Sequence, residues 1–222
     1  VSSPLASTAD ITKAGRGALV LTGTNTAGGG TKKTTINEGI LEISDLDNIG
    51  GNSGALVFAG GTLRAGAGLA DDISQRTITF LQGGAGIDTN SVDLALANSV
   101  GSGIGGLTKL GLGNLTLNAA ASYTGPTTVT TGTLTVGANN ATGVGGDLNV
   151  GAGATLALGV NNITAGIVTF SGADPVLSGT GTITASTGFF FDHDGGSDLV
   201  TVDAALAGPG GLLKANRASN LT

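Results

Sequence analysis

A phrase that returns along the chain is the feature that most constrains how it can fold. Residues 11–21 read ITKAGRGALVL, residues 107–117 read LTKLGLGNLTL, and residues 212–217 begin the phrase again as LLKANR. Lys13, Lys109 and Lys214 hold the same place in each copy, so the copies recur at an interval of about 100 residues. Repetition at a fixed interval is typical of solenoids, whose units bury apolar surface against their neighbours. The repeat predicts an elongated scaffold rather than a compact enzyme, with the three lysines in structural positions.

Short apolar segments with an alternating pattern predict an all-β chain. Glu42 separates Leu41 from Ile43, and Gly, Asn, Asp and Thr stand between successive segments. No segment has convincing helical periodicity, so we expect no significant helix. The spacing of the segments favours a β-solenoid with coils of about 20 residues, hence about five coils in each unit and roughly ten in the chain.

The core of such a solenoid is a narrow column of stacked side chains. Leu, Ile and Val are frequent, whereas aromatic residues make up 3% of the chain. We interpret the low aromatic content as a sign that aliphatic side chains fill the column and that large rings fit it poorly. Glycine, of which there are 42, permits the left-handed backbone that tight corners require.

The repeat also predicts the domain organisation. We expect residues 1–222 to form one continuous solenoid, with a first unit at about 11–106, a second at 107–211 and the start of a third at 212–222. Because the third copy stops within the phrase, we expect the chain to be a segment of a longer protein.

Charge and composition narrow the classes of partner and cofactor. The net charge is −6 and the few basic residues are scattered, which argues against a nucleic acid partner. The chain has no cysteine, so it can form neither a disulfide nor a thiolate metal site. No apolar run approaches the ~18 residues that a transmembrane helix needs, and we expect no membrane insertion by this segment.

The second copy and the residues after it resemble a known repeat. Residues 107–117 are followed by ASYTGPTTV at 121–129 and TGTLTVG at 131–137. This order is similar to that of the autotransporter-associated β-strand repeat, whose pattern is approximately LxKxGxGxLxL, then YxGxTxV and GxLxV. The first copy fits less closely, because residues 27–33 replace the tyrosine-containing turn. The resemblance implies a right-handed parallel β-helix at the cell surface of a Gram-negative-type bacterium, or secreted from it.

An acidic loop near the end of the second unit is a candidate metal site. Asp192, Asp194 and Asp198 flank a pair of glycines. Calcium prefers carboxylates at alternating positions with a glycine for the turn, so these three residues could hold calcium. The alternative is a solvated corner loop, since no glutamate closes the loop as in an EF-hand. We expect no other cofactor.

The residues just before and within this loop are candidates for an interaction site. Phe189, Phe190 and Phe191 are consecutive, and the only histidine, His193, follows closely. Three consecutive side chains cannot all point inward from a strand, so at least one phenylalanine should face outward and could contact a partner or stack on a sugar. His193 could serve as a metal ligand or base, or could simply lie at the surface.

These observations together favour a non-catalytic role. A serine protease triad would need His193 beside Ser53, and the two lie in different coils of a rod. Asp45, Asp47, Asp71 and Asp72 show no obvious stacking into a catalytic group. We therefore expect a stalk, fibre or adhesin scaffold that contacts a host, neighbouring-cell or glycan surface. Two alternatives remain: a self-associating filament or surface-layer subunit, and a glycan-binding or glycan-degrading β-helix.

Overall fold

Each turn of the chain lays its strands beside those of the previous turn, which builds a parallel β-solenoid of about nine turns. The computed structural model describes residues 9–193 and 199–216, the side chains of 193, 215 and 216 excepted. Two single 3-10 turns, Leu46–Ile49 and Ile73–Gln75, are the only helical elements in those ranges. The strands are β1 (Ile11–Lys13), β2 (Ala18–Leu21), β3 (Lys33–Ile36), β4 (Ile40–Ile43), β5 (Ala55–Phe58), β6 (Thr62–Ala65), β7 (Thr77–Phe80), β8 (Ala85–Asp88), β9 (Leu94–Leu96), β10 (Ser102–Gly103), β11 (Leu107–Leu110), β12 (Asn114–Leu117), β13 (Ser122–Tyr123), β14 (Thr127–Val129), β15 (Thr133–Val136), β16 (Leu148–Val150), β17 (Thr155–Ala157), β18 (Ile163–Ser171), β19 (Val176–Ser178), β20 (Thr182–His193), β21 (Thr201–Val202), β22 (Ala205–Ala207) and β23 (Gly211–Asn216).

The strands form three sheets that run along the solenoid. The first sheet has the order β1-β3-β5-β7-β10-β13, and the third has the order β9-β12-β15-β17-β19-β21. The second sheet runs from β2 through β4, β6, β8, β11, β14, β16 and β18 to β20, which pairs with both β22 and β23. Every pairing between described residues is parallel. The predicted all-β solenoid of roughly ten coils with no significant helix is confirmed.

The core is a set of in-register side-chain ladders, one inside each sheet. In the third sheet, equivalent residues of successive turns stack directly on one another and are almost fully buried. Alternation along each strand directs these residues inward and their neighbours outward, as period-2 geometry requires. The ladder consists of Leu94, Leu115, Leu134, Leu156 and Leu177.

The copies of the repeated phrase do not lie on equivalent faces. Lys13 lies in β1 of the first sheet, whereas Lys109 lies in β11 of the second sheet and Lys214 in β23 of the same sheet. Four turns separate β1 from β10 in the first sheet, through β3, β5 and β7. The next strand, β11, lies on the following face of the solenoid, so the first unit is four turns plus one face long. The second unit covers five turns, from β11 through β14, β16, β18 and β20 to β23. The prediction of five coils per unit holds for the second unit alone.

Aromatic rings occupy the column, so the expectation that large rings fit it poorly is wrong. Phe58 and Phe80 pack edge to face with centroids 5.7 Å apart, and Phe80 and Tyr123 are 5.2 Å apart. Gly101 belongs to the turn between Phe80 and Tyr123, and a Cβ there would lie 2.4 Å from the Phe80 ring and 2.8 Å from the Tyr123 ring. The column has room for these rings because the intervening turn contributes a glycine.

Within the described ranges, no helix has the length and apolar character needed to cross a bilayer.

Candidate functional site

The three consecutive phenylalanines lie in β20 and alternate between the core and the surface. Phe189 and Phe191 are buried, while Phe190 faces outward and is half-buried. Phe191 stacks on Phe170 of the previous turn, with centroids 5.3 Å apart and an interplanar angle of 8°. The expectation that one phenylalanine would face outward is met by Phe190.

Phe190 lies in a shallow depression on the outer face of the second sheet. Its neighbours there are Ile167, Thr169 and Asp192, and we call these four residues the Phe190 patch. In register, Phe190 stands between Thr169 of the previous turn and Leu213 of the next. The patch thus combines an aromatic ring with a hydroxyl and a carboxylate, a combination suited to contacting a partner's surface.

The acidic loop falls largely outside the described residues. Asp192 is half-buried at the end of the Phe190 patch, whereas Asp194, Asp198 and the side chain of His193 lie outside the described part of the chain. Among the residues that the structure describes, no group of three or more His, Cys, Asp or Glu could hold a metal ion. The calcium site and the role of His193 stay predictions.

Carboxylates elsewhere in the solenoid join one turn to the next. The Asp72 carboxylate accepts a hydrogen bond from the backbone N–H of Ala97 at 3.1 Å, and that of Asp147 accepts one from Ile167 at 2.8 Å. Asp10, Asp93 and Asp174 make equivalent bonds to N–H groups 21 to 25 residues later. These acids satisfy backbone donors at the corners, where the sheet ladders leave them unpaired.

Three acidic residues that showed no obvious grouping in the sequence lie around one depression. Asp45, Asp47 and Asp71 line it together. The Asp45 carboxylate accepts from the Asp47 N–H at 2.7 Å and caps the 3-10 turn, and the Asp71 carboxylate accepts from the Leu46 N–H at 2.7 Å. Both carboxylates therefore stabilise the backbone of this turn.

The lysine of the phrase is buried and surrounded by backbone carbonyls in both of its first two copies. Lys109 Nζ donates to the carbonyl oxygens of Leu110, Gly111 and Thr131 at 3.0, 2.6 and 3.1 Å. Lys13 Nζ donates in the same arrangement to Ala14, Gly15 and Glu38 at 2.9, 2.5 and 3.0 Å. In each copy two carbonyls follow the lysine directly and the third belongs to the next turn. Lys13 and Lys109 thus have the predicted structural role, because each joins the corner of its own turn to that of the next. Lys214, in the third copy, is exposed.

The phrase and the residues after it match a known repeat family. The sequence profile of the passenger-associated-transport-repeat matches residues 11–43 and 107–136. The chain carries two passenger repeats. This result confirms the resemblance seen in the sequence.

A curated relative supports the same assignment. The autotransporter adhesin BmaC of Brucella suis biovar 1 (strain 1330) is 38% identical over 189 residues, which cover 83% of this chain. The chain spans 5% of the length of that relative. No solved structure matches the chain.

Thr34 and Thr127 hold the same place in the two passenger repeats and are both buried, but their side-chain hydrogen-bond partners differ. Thr127 Oγ1 donates to the Thr142 carbonyl at 2.8 Å, so the Tyr123 hydroxyl donates to Thr127 at 2.6 Å. Full burial raises the pKa of Tyr123 well above its usual range, and the bond to Thr127 opposes that effect only in part. The tyrosine and threonine of the YxGxT pattern therefore form one hydrogen-bonded pair.

The first passenger repeat lacks this tyrosine and uses an arginine from two turns further on. Arg76 Nη2 lies 3.4 Å from Thr34 Oγ1 and 3.2 Å from the Ala55 carbonyl, while Nη1 donates to the Gly51 carbonyl at 2.8 Å. Burial lowers the pKa of Arg76 to about 10. Sequence reasoning missed Arg76, because an isolated arginine in a polar stretch gives no sign that it turns into the core.

Proposed function

We propose that the chain is a stiff, non-catalytic segment of a bacterial adhesin, displayed outside the cell. The observation that carries the proposal is the uninterrupted stack of parallel turns with passenger repeats in it. Stacked turns contact only their neighbours, so the solenoid can lengthen without a change of design and can hold a binding surface at a distance. The relative named as an autotransporter adhesin supports a surface role of this kind.

The use of carboxylates supports a non-catalytic role. Glycoside hydrolysis needs two carboxyl groups free to exchange protons across a substrate. In this solenoid two of the three acids that meet at one depression, Asp45 and Asp71, accept backbone hydrogen bonds. Carboxylates in such hydrogen bonds stabilise the fold and are not free to act on a substrate.

The Phe190 patch is the contact surface that we propose for the second unit. Its ring lies on the outer face, between Thr169 and Leu213 in register, and Asp192 adds a negative charge beside it. A half-buried ring of this kind loses little conformational freedom on binding and can pack against an apolar or sugar surface.

Adhesion by beads coated with the purified chain tests the proposal. We expect the beads to adhere to epithelial cell monolayers or bacterial lawns at least fivefold better than albumin-coated beads. Phe190→Ser should weaken adhesion severalfold. Val160→Ser, which replaces a side chain that is 80% exposed, is the matched control and should leave adhesion unchanged. Adhesion at the albumin level on every surface, or release of soluble sugars from them, would contradict the proposal.

A further inference from the structure

A gap in one outward ladder opens a groove on the second sheet. Thr62, Gly86, Thr108 and Thr128 follow one another in register across four turns. Because Gly86 has no side chain, Thr62 leans over it, so that a Cβ there would lie 2.3 Å from Thr62 Oγ1. The recess beside them is lined by Thr108, Thr128, Ile104 and Leu110 as well. We call these six residues the Gly86 groove. The gap spans two strand spacings, about 9–10 Å.

The hydroxyl groups in this groove have no protein partners. None of Thr62, Thr108 and Thr128 makes a side-chain hydrogen bond with another residue in the described ranges. On the third sheet, by contrast, Thr135 Oγ1 donates to Asn114 Oδ1 at 2.9 Å. The groove therefore presents a row of threonine hydroxyls that can both donate to and accept from a ligand.

The backbone of the groove is already engaged between turns. The N–H of Gly86 donates to the Gly61 carbonyl at 3.1 Å, and the N–H of Ala85 donates to the Gly106 carbonyl at 2.9 Å. A peptide that added itself as a strand would find no free backbone donors along this floor. Recognition here depends on side-chain hydroxyls and on carbon surface.

The remaining lining is uncharged and mostly apolar, with Gln82 as a further polar side chain. Ile104 is 67% exposed beside the recess, and none of the residues that line the groove is charged. In the neighbouring outward row, Arg64 Nε lies 2.8 Å from Asp88 Oδ2 and Arg64 Nη1 lies 3.9 Å from Glu42 Oε2. This cluster has two acids and one base, so it offers no unpaired cation. Hydroxyls beside an exposed aliphatic side chain match a sugar ring, which carries hydroxyls at its rim and C–H groups on its faces.

We propose that the Gly86 groove binds a neutral glycan, one sugar ring of which occupies the recess between Thr62, Thr108 and Ile104. This inference rests on the proposed adhesive function and assigns it a ligand class. Thr108 and Thr128 would hydrogen-bond the sugar hydroxyls, and Ile104 would cover one ring face. Acidic glycans find no cation in the lining to offset the desolvation of their charge.

Binding to an oligosaccharide array tests the groove. The array should carry neutral oligosaccharides of glucose, galactose, mannose and N-acetylglucosamine beside sialylated and sulfated ones, and surface plasmon resonance would then measure the strongest neutral ligand. We expect the Thr108→Val/Thr128→Val double variant to bind that ligand at least tenfold more weakly. The matched control is Thr133→Val/Thr155→Val, an equivalent in-register pair on the third sheet, which should bind as the unaltered chain does.

Three results would overturn the groove: no neutral oligosaccharide bound, acidic oligosaccharides preferred, or equal binding by the two double variants. Circular dichroism and thermal melting establish that both variants are folded. Adhesion of coated beads separates this failure from failure of the adhesive function. If beads adhere equally well with Thr108→Val/Thr128→Val, the groove is wrong and the function stands; if unaltered beads do not adhere, the function itself fails.

Discussion

The ammonium nitrogen of Lys109 lies 3.1 Å from the carbonyl oxygen of Thr131, a residue of the next turn. Lys13 and Glu38 repeat this relationship at 3.0 Å on another face of the solenoid. Two occurrences on different faces indicate that the arrangement belongs to the passenger repeat and not to its surroundings. The lysine supplies three donors to corner carbonyls; around Lys109 those of Leu110 and Gly111 also accept from Thr89 and Thr131.

Replacement of Lys109 by methionine should destabilise the solenoid. The change keeps most of the side-chain volume but removes three hydrogen bonds. Leu110 keeps the N–H of Thr89 and Gly111 keeps the hydroxyl of Thr131, so the Thr131 carbonyl loses its donor, at a cost of about 2 kcal/mol. Urea unfolding followed by circular dichroism measures the difference. Lys33→Met is the control, because Lys33 is exposed, and it should shift the midpoint little. Equal midpoints for the two variants would contradict the structural role of Lys109.

The contribution of Lys109 to stability should depend on pH. Burial lowers the pKa of Lys109 to about 8, against the opposing effect of Asp88 and Asp93. Between about 8 and the ordinary lysine value of about 10.4, the unfolded chain holds a proton that the folded chain has lost. Stability rises with pH wherever the unfolded state binds more protons. The unfolding free energy of the unaltered chain should therefore rise relative to Lys109→Met from pH 7.5 to pH 10; a fall over this range would refute the prediction.

Gly101 should not tolerate even a methyl group. Its φ is +69°, and a Cβ would lie 2.4 Å from the Phe80 ring, so Gly101→Ala combines backbone strain with a clash inside the column. Gly15→Ala separates the two effects, because Gly15 has a φ of +72° and open space around its Cβ position. We expect about 1 kcal/mol of destabilisation for Gly15→Ala and about 2–4 kcal/mol for Gly101→Ala. Thermal melting of both variants checks the difference.

A charge in the third-sheet ladder should disrupt the stacking of turns. Leu115 and Leu134 are directly paired and fully buried, so Leu115→Asp or Leu134→Asp would bury an unpaired carboxylate. Ala95 is exposed on the neighbouring strand, and Ala95→Asp is the control. We expect loss of the β-sheet circular dichroism signal or of soluble expression for the leucine variants and a folded control. Normal folding of Leu115→Asp would refute the register.

Alternation was enough to predict most of the fold, because each short strand shows its inward residues by period 2. Leu41 and Ile43, which alternate with Glu42 in the sequence, are both fully buried in the column. The face of the solenoid on which each copy of the phrase lies was not predictable from the sequence. It depends on the lengths of the corners between strands, which the spacing of the copies does not give. The repeat predicted a structural position for Lys109, but neither its surroundings in the sequence nor the polar stretch around Arg76 reveals that carbonyls from other turns contact these side chains.

The Gly86 groove was missed for a related reason. In the sequence Gly86 is one glycine among 42. Its place in the groove depends on the strand register, which sets Thr62 and Thr108 on either side of it. That register joins residues from three turns. The Phe190 patch, by contrast, was visible in the sequence, because three phenylalanines in a row violate the alternation of a strand.

The shift of the passenger repeat from the first sheet to the second has a consequence for avidity. Lys13 and Lys109 stand on different sides of the rod, whereas Lys109 and Lys214 stand on the same side, five turns apart. At about 4.8 Å per turn, the last two sites are separated by about 24 Å along one line. A flat cell surface could engage features of those two copies at once but would meet the first copy only if the rod rolled. Valency therefore depends on which side of the rod faces the target as well as on the number of repeats.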